Sequence, residues 1–322
     1  MPGEPADVVM FGPKPIIEEA LTKAGLRLHK AWAAPDQDAF IASIAPKVRA
    51  IAAVAGHGPV DGALMARFPK LEIVSSFGVG YDHIDAKWAG QHGVVVANTP
   101  DVLNEEVADT ALGLLLSTVR ELPQAERYLR AGNWPKHGDY QLTPSLRDRT
   151  AGIVGMGRIG KAIARRLDAM QVPVVYHTRR PTDVPYRHYP SLTDMARDAD
   201  VLIVITPGGA ATKNLVNAEV LKALGPDGIL INVARGSVVD EAALIKALQD
   251  KTILSAGLDV FVDEPNVPAE LMGMDNVVLL PHVGSASEPT RRAMDTLVAD
   301  NIIAWFSGKG PLTPVPETPV KK

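Results

Sequence analysis

The chain has 322 residues, more than one hydrophobic core usually serves, so two domains are expected. Apolar residues make up 46% and charged residues 22%, an ordinary globular mix, and a formal net charge of −4 offers no broad cationic face to nucleic acid or an anionic membrane. The absence of cysteine excludes disulfides, thiolate metal sites and a cysteine nucleophile, and no metal site is expected. The opening MPGEPADVVMFGP has acids and prolines where a signal peptide would be basic and then apolar, and no apolar stretch reaches the ~20 residues that span a bilayer, so the expected location is the cytoplasm.

In chain order, the first half alternates short apolar runs with amphipathic stretches: VVMF from Val8, RAIAAVA from Arg49, LEIVSS from Leu71 and GVVVAN from Gly93. Pro15 to Ala24 reads as a helix closed by Gly25. A long helical pattern runs from about Asn104 to Arg130, where Pro123 should kink or break it, and ends in the polar stretch AGNWPKHGDYQLTPS. The second half reads AGIVG from Ala151, VPVVY from Val172, VLIVIT from Val201, GILINVA from Gly228, LSAGLDV from Leu254 and NVVLLPH from Asn276. A last helix is predicted over Glu288 to Phe306, followed by a tail with Pro311, Pro314, Pro316 and Pro319 that is expected to be extended or disordered. The runs are apolar throughout instead of alternating, as in strands covered by helices on both faces. Two such series predict an α/β fold of two doubly wound parallel sheets.

Gly155-Met156-Gly157-Arg158-Ile159-Gly160 is GxGxxG, set between the apolar strand AGIV and the helical pattern IGKAIARRLDAM, with a second strand after it. That context makes it a dinucleotide fingerprint: a tight turn, close approach of a pyrophosphate to the backbone, and close helix–strand packing. An NAD site usually carries an acid at the end of the second strand for the ribose 2′-hydroxyl. Here that end reads Tyr176-His177-Thr178-Arg179-Arg180, with no acid and two arginines suited to a 2′-phosphate. The expected cofactor is therefore NADPH, with NADH weaker; the bland alternative is that the arginines are solvated loop charges.

Three polar segments directly follow strands of the same unit: Asn232-Val233-Ala234-Arg235-Gly236, then Asp259 with Glu264-Pro265 beyond it, then Pro281-His282-Val283-Gly284. Ligands of open parallel sheets bind at the carboxyl ends of strands, so Arg235, Asp259, Glu264 and His282 should converge. Reducing a ketone needs a proton near neutral pH, which suits His282. A carboxylate on the ring's far nitrogen, from Glu264, would orient it and favour the imidazolium. A 2-oxo acid needs a fork of donors, which suits Arg235. Singly, each of these is better read as structural; together, beside a dinucleotide motif, they are hard to explain that way. In the first unit, Phe77-Gly78-Val79-Gly80-Tyr81-Asp82 follows LEIVSS, and Val79 and Gly80 are candidate substrate contacts through a nest of N–H groups. Gly56 and His57, after IAAVA, are weaker candidates for the same role.

The segments SFGVGYDHID, NTPDVLNEEVADTALGLLL, GMGRIGKAIARRL, LINVARGSVVDE, AGLDVFVDEP and LLPHVGS, in this order, resemble those of the D-isomer-specific 2-hydroxyacid dehydrogenases. Within the family the likeness is to glyoxylate/hydroxypyruvate reductases and plant hydroxyphenylpyruvate reductases. The resemblance implies Arg235 and Glu264 as active-site residues and His282 as proton donor. It implies cofactor contacts from the Gly155 loop, Thr178 to Arg180, Thr206, Pro207, Thr212, Val233 to Arg235, Asp259, and His282 to Ser285, which includes Gly284. It further implies a flavodoxin-like substrate lid of residues 1–98 and 289–322, a Rossmann nucleotide-binding domain of residues 99–288, and a homodimer with the Asn104 to Tyr140 arm wrapped on the partner. The missing acid after the second strand departs from the family's commonest pattern and puts NAD preference in doubt. Two rival readings keep the fold: a reductase of aryl-pyruvates or of 2-ketogluconate, and a dinucleotide-sensing, corepressor-like protein with slow turnover.

Overall fold

The computed structural model describes residues 4–54 and 58–318. It divides into two compact units, Met1–Leu103 with Ser287–Lys322, and Asn104–Ala286. Both crossings fall at helix starts, a few residues from the 98/99 and 288/289 divisions expected from sequence. The helix Asn104–Val119 begins at the first, and Ser287 caps the helix Glu288–Phe306 at the second by accepting the Thr290 N–H.

The first unit carries five strands: β1 (Asp7–Met10), β2 (Arg27–Lys30), β3 (Val48–Ala53), β4 (Ile73–Ser76) and β5 (Val95–Ala97). They are all parallel, in the order β2-β1-β3-β4-β5, the flavodoxin-like arrangement. Val9, Ile51 and Val74 from the inner strands and Val96 from β5 meet in its core. The helix Pro15–Lys23 ends as expected at Gly25, whose φ of +79° lets the Leu26 N–H reach the Leu21 carbonyl and the Gly25 N–H reach that of Thr22. The second unit carries β6 (Ala151–Val154), β7 (Val174–His177), β8 (Arg187–Tyr189), β9 (Val201–Val204), β10 (Ile229–Asn232), β11 (Ser255–Leu258) and β12 (Val277–Leu279). Its parallel sheet runs β8-β7-β6-β9-β10-β11-β12, so the chain reverses direction across the sheet between β6 and β9. Ligands bind at such a switch point.

The structure makes two local expectations definite. The long helical pattern is two helices, Asn104–Val119 and Leu122–Arg130, and the break lies at Glu121, with φ +49°, ahead of Pro123. Proline cannot follow an unbroken turn, because its ring meets the carbonyl four residues back, so the helix must end before it and restart with Pro123 in its first turn. The described part of the proline-rich tail lies along β5: Pro314 bridges Ala97, the Val315 N–H donates to the Val96 carbonyl, and Val315 and Thr318 are buried. Among the described residues no helix is long and apolar enough to cross a membrane.

Candidate active site

After β6 the chain must turn within a few residues into the helix Arg158–Ala169. Gly155 makes the turn with φ +110°, and a side chain there would lie 3.0 Å from the backbone of Ile205 and Thr206, beyond β9. Gly160 has no room for a side chain against the Gly155 carbonyl. At Gly157, the helix N-cap, a side chain would meet nothing within 4 Å. A tight turn, close packing and an open approach to a helix N-terminus are what a pyrophosphate requires, so these residues fit a dinucleotide. Met156 is buried, so what this residue offers a ligand is backbone.

At the end of β7, the His177 ring bonds the Tyr189 carbonyl at 2.8 Å and the His188 ring the Thr178 carbonyl at 2.9 Å. The Thr178 hydroxyl donates to the Arg180 carbonyl at 2.6 Å, so its proton is already engaged inside the loop. Arg179 and Arg180 are exposed, and among the described residues no hydrogen bond or ion pair holds either guanidinium. After β9, the Thr212 hydroxyl donates to the Pro207 carbonyl at 2.7 Å and closes the loop that begins at Thr206.

The catalytic candidates come together on the three strands that follow. After β10, Val233 and Ala234 are buried, and Asn232 shapes the turn. Its side chain accepts the Ala234 N–H at 3.1 Å and donates to the Arg235 carbonyl at 3.0 Å. Gly236 lies so close to the backbone of Phe261 and Val262 that no side chain fits, which joins the Arg235 turn to the loop after β11. There Glu264 accepts the Phe261 N–H at 3.0 Å through Oε1, while Oε2 lies 2.6 Å from His282 Nδ1. Burial works to raise the Glu264 carboxyl. The His282 hydrogen bond, the Phe261 N–H and the charges of His282 and Arg235 outweigh it and hold the carboxyl below its ordinary value. Glu264 is thus an ionised acceptor, Nδ1 is the donor, and Nε2 is left as the nitrogen that can carry a proton to substrate.

Asp259 is bound into the turn that carries His282. It is 1% exposed, and its carboxylate accepts the N–H groups of Val283 at 2.7 Å and Gly284 at 2.8 Å, while its carbonyl accepts that of His282 at 2.9 Å. Three successive donors drawn to one residue bend the chain so sharply that His282 has φ +53°, a conformation uncommon outside glycine. Burial pushes the Asp259 carboxyl up, and the two N–H bonds oppose that. Asp259 therefore orients His282, and Gly284 is the glycine that approach demands, since a side chain there would lie 3.0 Å from the carboxylate. Ser285 is half-buried just beyond this turn. Asn232 and Asp259 share one sequence signal: a polar residue at the end of an apolar strand must bind its own loop if it is buried.

In the other unit, the loop after β4 turns at Gly78, with φ +137°. Its N–H donates to the Thr99 hydroxyl at 2.9 Å, and the Val79 carbonyl accepts from the Asn98 side chain at 2.8 Å. Among the described residues nothing engages the N–H groups of Val79 and Gly80, which leaves two consecutive donors for an anion. Gly56 and His57 lie outside the described residues.

Comparison with known proteins agrees with this chemistry. The family model for the D-isomer specific 2-hydroxyacid dehydrogenase NAD binding domain matches residues 112–284. Glyoxylate/hydroxypyruvate reductase A of Arabidopsis thaliana is 44% identical over 313 residues, 97% of this chain and 99% of its own. Hydroxyphenylpyruvate reductase of Plectranthus scutellarioides is 44% identical over 300 residues, 93% and 95% of the two chains. A crystal structure of an NADPH-dependent glyoxylate/hydroxypyruvate reductase from Sinorhizobium meliloti, in complex with NADP and malonate, is 51% identical, covers 99% of each chain and has a TM-score of 0.92.

Proposed function

This chain belongs to the D-isomer-specific 2-hydroxyacid dehydrogenases, and from that premise we propose that it is an NADPH-preferring reductase of small 2-oxo acids, glyoxylate and hydroxypyruvate, to D-2-hydroxy acids. The observation that carries the reading is the Glu264–His282 pair at 2.6 Å, with Arg235 close enough to influence Glu264. Bound at the Gly155–Gly160 turn, a nicotinamide dinucleotide supplies the hydride. His282 gives a proton to the carbonyl oxygen as it becomes an alkoxide. Glu264 holds the ring through Nδ1, Asp259 fixes the turn beneath it, and Arg235 binds the substrate carboxylate. Assays of glyoxylate, hydroxypyruvate, hydroxyphenylpyruvate and 2-ketogluconate with both reduced cofactors test the reading. A preference for either larger acid, or negligible turnover of all four, overturns it.

A homodimer in the cytoplasm completes the proposal. Its support is the arm of the second unit, where the helix Leu122–Arg130 buries no residue and Leu122, Leu129 and Trp134 are 49%, 55% and 57% exposed.

Arg235→Lys keeps the charge but loses the planar fork. Steady-state kinetics should show KM for glyoxylate raised by about ten-fold or more, the worth of one charge-assisted bond, with NADPH affinity little changed. A variant with wild-type KM and kcat would make Arg235 structural.

Glu264→Gln tests the pH response. The wild-type carboxyl titrates below its ordinary value and stays ionised through neutral pH. Its contact with His282 is lost only where pH falls far enough to protonate the carboxyl, so wild-type kcat/KM should decline on the acid side, below the ordinary carboxylate range. Glu264→Gln carries no such group, so its kcat/KM should be lower throughout and that acid decline should be missing. Superimposable profiles would remove Glu264 from the role.

A further inference from the structure

We propose that the C-terminal segment Pro311–Thr318 is a positioning element for substrate, acting through Asn301, Thr313 and Asn98 on the carbonyl of Val79. The inference rests on the reading that the Val79–Gly80 loop contacts the 2-oxo acid.

The chain of contacts is continuous and lies within one unit. Asn301, on the helix Glu288–Phe306, is fully buried. Its side-chain carbonyl accepts the N–H groups of Leu312 at 2.9 Å and Thr313 at 3.0 Å, and its amide donates to the Thr313 hydroxyl at 2.9 Å. That hydroxyl donates to the Asn98 carbonyl at 2.6 Å, and the Asn98 N–H donates to the Thr313 carbonyl at 3.2 Å. Asn98 is gripped on both backbone groups, and its side chain reaches the Val79 carbonyl at 2.8 Å. A second tie runs in parallel: the Tyr81 hydroxyl donates to Glu317 at 3.0 Å, and the Thr318 hydroxyl bonds both the N–H and the carbonyl of Val96.

A pair of N–H groups binds an anion well only when their directions are fixed beforehand. Gly78, at φ +137°, leaves the loop backbone permissive, so its direction is set from outside. Thr99 holds both backbone groups of Gly78, Asn98 holds the Val79 carbonyl, and the tail holds Asn98 in turn.

Thr313→Val removes the hydroxyl at nearly constant shape. KM for glyoxylate should rise about three- to ten-fold, the net worth of one hydrogen bond, while the NADPH dissociation constant stays at the wild-type value. Thr313→Ser should restore KM. If Thr313→Val does not fold, Tyr81→Phe, which cuts the second tie, takes its place with the same expectation. Gly78→Ala distorts the loop directly and separates the two ideas. A raised KM in Gly78→Ala with a normal KM in the tail variants overturns the tail's role. Normal KM in all of them overturns substrate contact by the loop, and the tail's role with it.

Discussion

His282→Ala should lose about 10²–10⁴-fold in kcat, the usual contribution of a positioned general acid, while NADPH binding measured by fluorescence titration stays close to wild type. The size of the effect follows from the geometry. Glu264 Oε2 at 2.6 Å on Nδ1 holds the ring, and three Asp259-bound N–H groups fix the backbone that carries it, so the donor is positioned at both ends. The separation of kcat from cofactor affinity follows as well. The dinucleotide turn at Gly155–Gly160 lies on β6 and its helix, and the His282 turn follows β12 at the far edge of the same sheet. A variant that keeps more than about a tenth of wild-type kcat would mean that solvent or another group donates the proton.

Wild-type enzyme should use NADPH in preference to NADH by about ten- to hundred-fold in kcat/KM, and Arg179→Ala/Arg180→Ala should remove most of that preference. A 2′-phosphate carries close to two negative charges near neutral pH. No acid stands at the end of β7 to repel it or to accept from a free 2′-hydroxyl. Arg179 and Arg180 are exposed, and no ion pair within the described residues competes for them. The Thr178 hydroxyl already donates to the Arg180 carbonyl, so discrimination falls on the two guanidiniums. Because both are exposed, raising the salt concentration should weaken the preference. The single variants will differ, since adjacent side chains on an extended loop point in different directions. Equal kcat/KM for the two cofactors in the wild type would sink the assignment. A preference that survives the double variant would place phosphate recognition on other residues.

Much of this protein was legible from its residues because the strongest signals are local. Ten strands announce themselves as apolar runs, since a strand covered on both faces has no polar position to interrupt it. The glycines of the Gly155–Gly160 turn, and the polar residues just after β10, β11 and β12, need only the rule that parallel strands present their carboxyl ends on one side. The sequence therefore determined the fold class, the dinucleotide turn and the candidacy of Arg235, Glu264 and His282. Other features depend on partners distant in the chain, and the tertiary structure decided them. The edge strands RLHK (β2) and RHY (β8) carry no apolar run, and they become strands because a neighbour offers its unpaired N–H and C=O groups. The proline-rich tail reads as extended or disordered, and the edge of β5 and the buried Asn301, which supply its hydrogen bonds, decide between the two. Asp259 reads as one more acid near a ligand. Only the folded chain turns it inward, because a carboxylate buried to 1% exposure must find donors, and the nearest are the N–H groups that aim His282.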